Sequence, residues 1–209
     1  MKHFFYSKLL KSTLPRLLFM SLLSVALLPT SCRKDDKEDV VPPAKVYAEE
    51  NPLAAFYVAS GMTKIIDKVN SGYYESAIVF SPNVKGKINA VTLRIPDVAT
   101  NTRVTIWDYD SKAVLRTILI DVTSSHTTFT KAIEPLNLEK DKQYMISMNT
   151  NDWFQNKKPD GSYADYPVVA GNIKFLGCKW SGGSAQVFPT VNALNFNAGD
   201  VSFVFQQVD

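Results

Sequence analysis

Histidine and cysteine are nearly missing from these 209 residues: there are two of each, His3 and His126, Cys32 and Cys178. That scarcity argues against a zinc site, which draws on several Cys or His ligands at short spacings. It also leaves a thiol enzyme little to work with, since a catalytic cysteine wants a histidine beside it. Nucleophile elbows, histidine pairs at i and i+4, phosphate loops and calcium loops do not occur with their defining spacings. Asp108 and Asp110 flank a tight turn and could reach a calcium ion only with a third acid such as Asp121, whereas aspartate in such a turn is commoner as a turn former. No pair of carboxylates stands out as a glycosidase pair, whose defining quantity is a separation in space. The chain therefore reads as non-enzymatic, with no cofactor implied.

Acidic residues are missing from residues 1–31, and this absence has a meaning of its own. The stretch carries Lys2, Lys8, Lys11 and Arg16, then the apolar run 17–28, then Pro29-Thr30-Ser31-Cys32. A membrane-crossing helix needs about 20 apolar residues. This core is shorter and has the charged start and small-residue end of an export signal, so residues 1–31 are expected to be removed. Thr30-Ser31-Cys32 resembles the lipobox of bacterial lipoproteins, with Pro29 where an aliphatic residue is usual. The resemblance implies that Cys32 is lipidated and anchors the chain to a membrane. Arg33 to Asp39 then supply a charge run whose Lys34-Asp35-Asp36 portion resembles the acidic tag that sends Bacteroidetes-type lipoproteins to the exterior face of the outer membrane. Read from composition alone, the same run is a solvated start to a linker.

Without the leader's four bases, the 23 Lys and Arg of the whole chain become 19, against 20 Asp and Glu. The exported form is close to neutral. No run of Lys and Arg interleaved with aromatics remains, so nucleic acid is not expected as a partner. With Cys32 taken by lipid, no second cysteine remains to form a disulfide with Cys178 in the apolar stretch 173–178, which is expected to be a buried structural thiol.

Residues 32–50, lipidated cysteine and tether, are charged, contain Pro42-Pro43 and lack periodicity, which gives a reach of roughly 20–25 Å. Residues 51–209 are enough for one domain with one core. Helix signals there are feeble, the best being 63–69, where Ile65, Ile66 and Val69 fall at i, i+1 and i+4 between Gly61 and Gly72. Strand signals dominate. In 87–95 the apolar positions Ile88, Ala90 or Val91, Leu93 and Ile95 fall on one face after a one-residue slip that a β-bulge would absorb. In 103–108 Ile106 and Trp107 fall on opposite faces, Ile106 inward. A turn at 109–112 leads into a second strand at 113–122, which makes a hairpin. Further runs lie at 73–80, 127–133, 143–149, 168–178, 185–191 and 201–208. The expected fold is all-β, an antiparallel jelly-roll-like sandwich with at most one short helix.

Residues 80–149 resemble an uncharacterised β-sandwich family that recurs in secreted bacterial proteins beside sugar-acting or adhesive modules. The residues that carry the resemblance are Phe80-Ser81-Pro82, the stretch 86–93, Val104 to Asp108, Leu115, and 138–141 leading into 143–147. Ser125 to Phe129 stand where that family has a Trp-bearing strand. The resemblance implies a sandwich and transfers no catalytic residue.

One segment departs from the strand-and-turn pattern. Residues 149–166 make a stretch longer than structureless loops usually are in compact domains, and such loops are often functional. The segment holds Trp153, Phe154, Tyr163 and Tyr166 among Asn and Asp side chains, with Asp160-Gly161 as a turn, and Trp180 is a candidate to join the same rim. Flat rings beside amides and carboxylates suit a sugar, whose C–H face stacks while its hydroxyls seek partners. The same rings would equally serve as plugs under the loop. Function accordingly reads as a surface-anchored binding module for glycan or another extracellular polymer. The alternative is an accessory or adhesive subunit of an outer-membrane or fimbrial assembly, with 201–208 as an exchangeable edge strand. A hydrolase comes third.

Overall fold

A strand that is apolar at every second residue needs a facing apolar layer, and this chain provides it by closing two antiparallel sheets on each other. The computed structural model describes residues 45–193 and 197–209. Residues 1–31, Cys32 and the first part of the expected tether lie outside them. In chain order the elements are β1 (Glu49–Glu50), α1 (Pro52–Ser60), β2 (Lys64–Lys68), β3 (Tyr74–Pro82), β4 (Gly86–Arg94), β5 (Ala99–Asp108), β6 (Val114–Val122), β7 (Phe129–Leu138), β8 (Tyr144–Thr150), β9 (Trp153–Lys157), β10 (Val168–Ala170), β11 (Ile173–Gly182), β12 (Val191–Ala193), β13 (Asn197–Ala198) and β14 (Asp200–Gln207).

One sheet runs β1-β14-β4-β7 and the other β10-β11-β3-β8-β5-β6, with β12 paired to β11; a small third sheet runs β13-β9-β2. Taken alone, β1, β3 to β8 and β14 stand in the order 1-8-3-6 in one sheet and 2-7-4-5 in the other. That is the double Greek key of a jelly roll. The strands β9 to β13 are an addition between its last two strands, and they build one end of the sandwich.

The core lies between the two large sheets. Ile78 and Phe80 of β3, Ile106 of β5 and Ile146 of β8 face Ile88, Val91 and Leu93 of β4 and Phe203 and Phe205 of β14. The expected slip in β4 is there, as a register shift between Ile88 and Ala90 against β7. Pro135 falls inside that irregularity on the sheet's outermost strand, where a missing N–H is tolerated. Ile106 points into the main core, and Trp107 points to the opposite face, where it packs with Ala77, Val79 and Met145. That outer face is also covered. Phe188 meets the Trp107 ring edge-on at 5.7 Å, and Gln186 Nε2 donates to Thr105 and Thr117. Residues 185–190 therefore cross the sheet instead of forming the strand expected there; ladder pairing begins only at Val191.

Three further expectations are corrected. Residues 63–69 are not helical: β2 pairs residue by residue with β9, so each supplies the other's missing hydrogen bonds. The one helix among the described residues lies earlier, at Pro52–Ser60. Asn51 caps it by accepting from Ala54 N–H, Pro52 occupies its first turn, and Gly61 ends it in the left-handed region at φ 70°. Packing also starts before residue 51, because Glu49 and Glu50 pair with Gln206 and Phe205. The stretch 201–208 is consequently not the outermost strand of its sheet: β14 lies between β1 and β4, with β1 covering it at Phe205 and Gln206.

Candidate functional site

Where β9 closes the end of the sandwich opposite β3 and β11, a cleft of about 300 Å³ opens, lined by Tyr74, Ser76, Trp153, Cys178, Trp180 and Ala193 among others. Tyr74 and Trp180 come from neighbouring strands whose register pairs Trp180 with Ser76 and Gly182 with Tyr74. Their rings meet edge to face at 5.7 Å. Trp153 arrives from β9, and its Nε1–H donates to Ser71 Oγ at 2.8 Å. Ser71 is itself held, its N–H and hydroxyl both donating to Asn151 O. Asp152 accepts from Asn70 N–H at 2.6 Å, so the turn before β3 and the start of β9 form one clasp. The lining is largely apolar, with Ser76, Cys178 and Lys179 as its polar residues. Rigid rings around a small cleft are suited to the flat face of a ring-shaped ligand.

The expected site residues divide into three groups. Trp153 and Trp180 are brought together in the cleft. Phe154 is 0% exposed; its ring lies against His126 at 5.3 Å and under the Arg94 guanidinium at 4.7 Å, so it has no face to offer a ligand. The reason is period two: 153–157 is a strand, and neighbouring residues leave it on opposite sides. Tyr166 is a core ring too. It stacks on Phe56 with centroids 6.0 Å apart and its hydroxyl lies 3.4 Å from Cys178 Sγ. Burial, then the thiol beside it, pushes its phenol well above the usual range. Tyr163 and Asp160 belong to the exposed side of the segment. The Tyr163 hydroxyl accepts from Gln155 Nε2 at 2.8 Å. Asp160 accepts from both the N–H and the hydroxyl of Ser162 and closes the turn expected there; the backbone bond is the first reason its carboxyl sits below the ordinary range.

Asp108, weighed for calcium, serves the hairpin. It accepts from Ser111 N–H and hydroxyl and from Lys142 Nζ at 2.8 Å, and Lys142 is the main reason its pKa falls to about 2. Asp121 accepts from Asn101 N–H. Among the described residues no group of three or more His, Cys, Asp or Glu is placed to hold a metal ion. Cys178 is buried, as expected of a structural thiol, and His126 pairs with Asp67 at 3.1 Å.

Two polar clusters had no sequence signal. On the outer face of the larger sheet, Glu75 is 0% exposed and accepts from Ser147 Oγ at 2.6 Å and from Arg103 Nη2 at 2.9 Å, while Trp107 Nε1–H donates to Ser147 Oγ. At the start of β14, Asp200 accepts from Arg94, Tyr57 and Asn156 beside a second cavity of about 240 Å³. Each joins residues scores of positions apart, which no local pattern can announce. Searched against protein-family models and against curated proteins, the chain has no match.

Proposed function

We propose that this chain is a non-catalytic binding module, tethered through lipidated Cys32 to the exterior face of the outer membrane, that takes a sugar ring of an extracellular polymer in the cleft of Tyr74, Trp153 and Trp180. The observation that carries the reading is the convergence of these three rings, from β3, β9 and β11, on a cleft at the lower end of the size range of small-ligand sites. Trp180, 37% exposed, supplies the stacking face. The turn of Asp160 and the ring of Tyr163, on the exposed side of the same segment, extend the contact along a polymer. The 19 bases against 20 acids of the exported form agree with a neutral polymer rather than a nucleic acid.

A glycan array probed with the full-length chain in detergent tests this directly. Capture of a defined set of glycans, lost on Trp180→Ala with the melting temperature nearly unchanged, is the expected result. An array with no captured glycan, or capture indifferent to Trp180→Ala, would remove the cleft from consideration.

A further inference from the structure

The second cavity lies on the other side of β9 from the aromatic cleft, the side that Phe154 and Asn156 face. The first turn of α1, β4 and the start of β14 enclose it. Asn51, Leu53, Tyr57, Thr92, Arg94 and Asp200 line it, with Thr128 alongside.

Asp200 is 1% exposed and fully engaged. Oδ1 accepts from the Tyr57 hydroxyl and from Asn156 Nδ2 at 2.9 Å; Oδ2 accepts from Arg94 Nε at 2.7 Å and from Arg94 Nη2. With about two lone-pair sites on each carboxylate oxygen, no acceptor is left over. Burial, and then the charge of Asp200, raise the Tyr57 phenol well above its ordinary range, so its proton stays where it is.

Donors, by contrast, remain. Arg94 presents five N–H groups and directs one edge at Asp200, so Nη1 keeps both hydrogens. The guanidinium is held in plane by the Phe154 ring 4.7 Å beneath it. Asn51 uses Oδ1 on Ala54 N–H and retains its Nδ2 hydrogens. Leu53 N–H is one of the first-turn amides that a helix cannot satisfy itself, and Pro52 before it has none to offer. Thr92 decides the matter: it is 4% exposed, it lines the cavity, and its hydroxyl has no hydrogen-bond partner among the described residues. Its register partner Ser202 likewise has a buried hydroxyl without one. Among the lining side chains donors therefore outnumber acceptors: the hydroxyls can serve as either, and Asn156 Oδ1, a buried acceptor without a partner, belongs to a residue outside the lining.

We propose that this cavity is a binding site for the carboxylate of a small organic acid or acidic sugar, gripped by Arg94 Nη1, Asn51 Nδ2 and the Thr92 hydroxyl. The Arg94 and Asp200 charges offset each other, and the nine-residue helix contributes a partial positive charge of roughly one half at its N-terminus. That balance suits one negative charge better than two. Arg94 then bridges two carboxylates, one belonging to the protein and one to the ligand, with its orientation set before the ligand arrives.

The test is calorimetric titration of the full-length chain in nonionic detergent with sodium acetate, sodium glucuronate and glucose, at ionic strength matched with sodium chloride. In the Trp180→Ala variant, whose aromatic cleft no longer takes a sugar ring, saturable binding of the carboxylates and none of glucose is expected; glucuronate alone binding would assign the site to acidic sugars, and both carboxylates binding would assign it to the group itself. Thr92→Val keeps the side-chain shape and removes one hydrogen bond, so the affinity should fall about fivefold. Asn51→Ser keeps the helix cap and removes the amide, with a similar loss expected. Trp180→Ala should leave the carboxylate titration unchanged, so failure here and failure of the aromatic cleft are separable. Equal binding of glucose and glucuronate by the Trp180→Ala variant, no saturation by about 50 mM, affinities unmoved in both the Thr92 and Asn51 variants, or complete loss of carboxylate binding on Trp180→Ala would each overturn the proposal.

Discussion

Phe154→Ala is the substitution that best separates a core reading of the β9 aromatics from a binding reading. Phe154 is fully enclosed, and emptying such a site costs about 3–5 kcal/mol, because the transfer energy of the ring is lost and a cavity is left behind. The upper half of that range applies here, since the ring also supports the Arg94 guanidinium and the His126 ring. For a domain of this size each 1 kcal/mol moves the melting temperature by about 2–4 °C, so the expected fall is roughly 8–20 °C. Differential scanning calorimetry of the wild type, Phe154→Ala and Trp180→Ala is the assay. The half-exposed Trp180 should cost about 1 kcal/mol or less, the ordinary range for a surface substitution. A Phe154→Ala shift smaller than that of Trp180→Ala would refute the placement of the two faces of β9, and with it the division of the site residues made above.

Acid should weaken the β5–β6 hairpin in a defined window. The folded-state pKa of Asp108 is depressed to about 2 from an ordinary 3.8, so its contribution is complete above the unfolded value and is lost as pH falls from about 4 to about 2; with Lys142 partly exposed, screening limits it to about 1 kcal/mol. Urea melts at pH 5 and pH 2.5 should show that loss in the wild type and not in Asp108→Asn. Gly86→Ala should destabilise by about 2 kcal/mol or more, because a Cβ there would lie 2.1 Å from the buried ring of Phe205 and 2.8 Å from the backbone oxygen of Gln206; a melting temperature within 1 °C of wild type would contradict the packing of β4 on β14. Cys32→Ala should release the chain from the membrane, since each buried methylene of an acyl chain contributes about 0.8 kcal/mol. Fractionation that leaves the variant in the membrane pellet would disprove anchoring at Cys32.

The sandwich was legible because burial follows alternation in its central strands: Ile88, Leu93, Val104 and Ile106 are apolar at the positions that a jelly roll turns inward. What escaped was pairing that depends on a distant partner. Ile65 and Ile66 fit a helix as well as a strand, and only β9 decides between them; β9 in turn looked like loop because Asn156 and Gln155 are not strand-like until Ile65 and Ile66 lie opposite them. The missed helix had its caps in plain sight, Asn51-Pro52 and Gly61, but Leu53, Ala54, Ala55, Phe56, Tyr57 and Val58 form an unbroken apolar run with no stripe to read. In the candidate site, aromatic composition drew attention to Trp153 and Trp180 but could not tell them from Phe154 and Tyr166. The Asp200 and Glu75 clusters exist only once strands separated by a hundred or by seventy residues have been laid side by side.

The two ends of the described domain meet. The Tyr47 hydroxyl donates to Asp209 Oδ1, Gln206 Nε2 donates to Tyr47 O, and β1 lies along β14. Entry and exit of the chain therefore share one corner, and the fold is close to a closed ring of sequence. A short linker from Asp209 to Tyr47 would complete that ring, and it could then be cut in the exposed turn between β5 and β6 without touching either cavity. Such a rearranged molecule would carry its attachment point on the hairpin and place α1, with the sites on both sides of β9, in the middle of its chain.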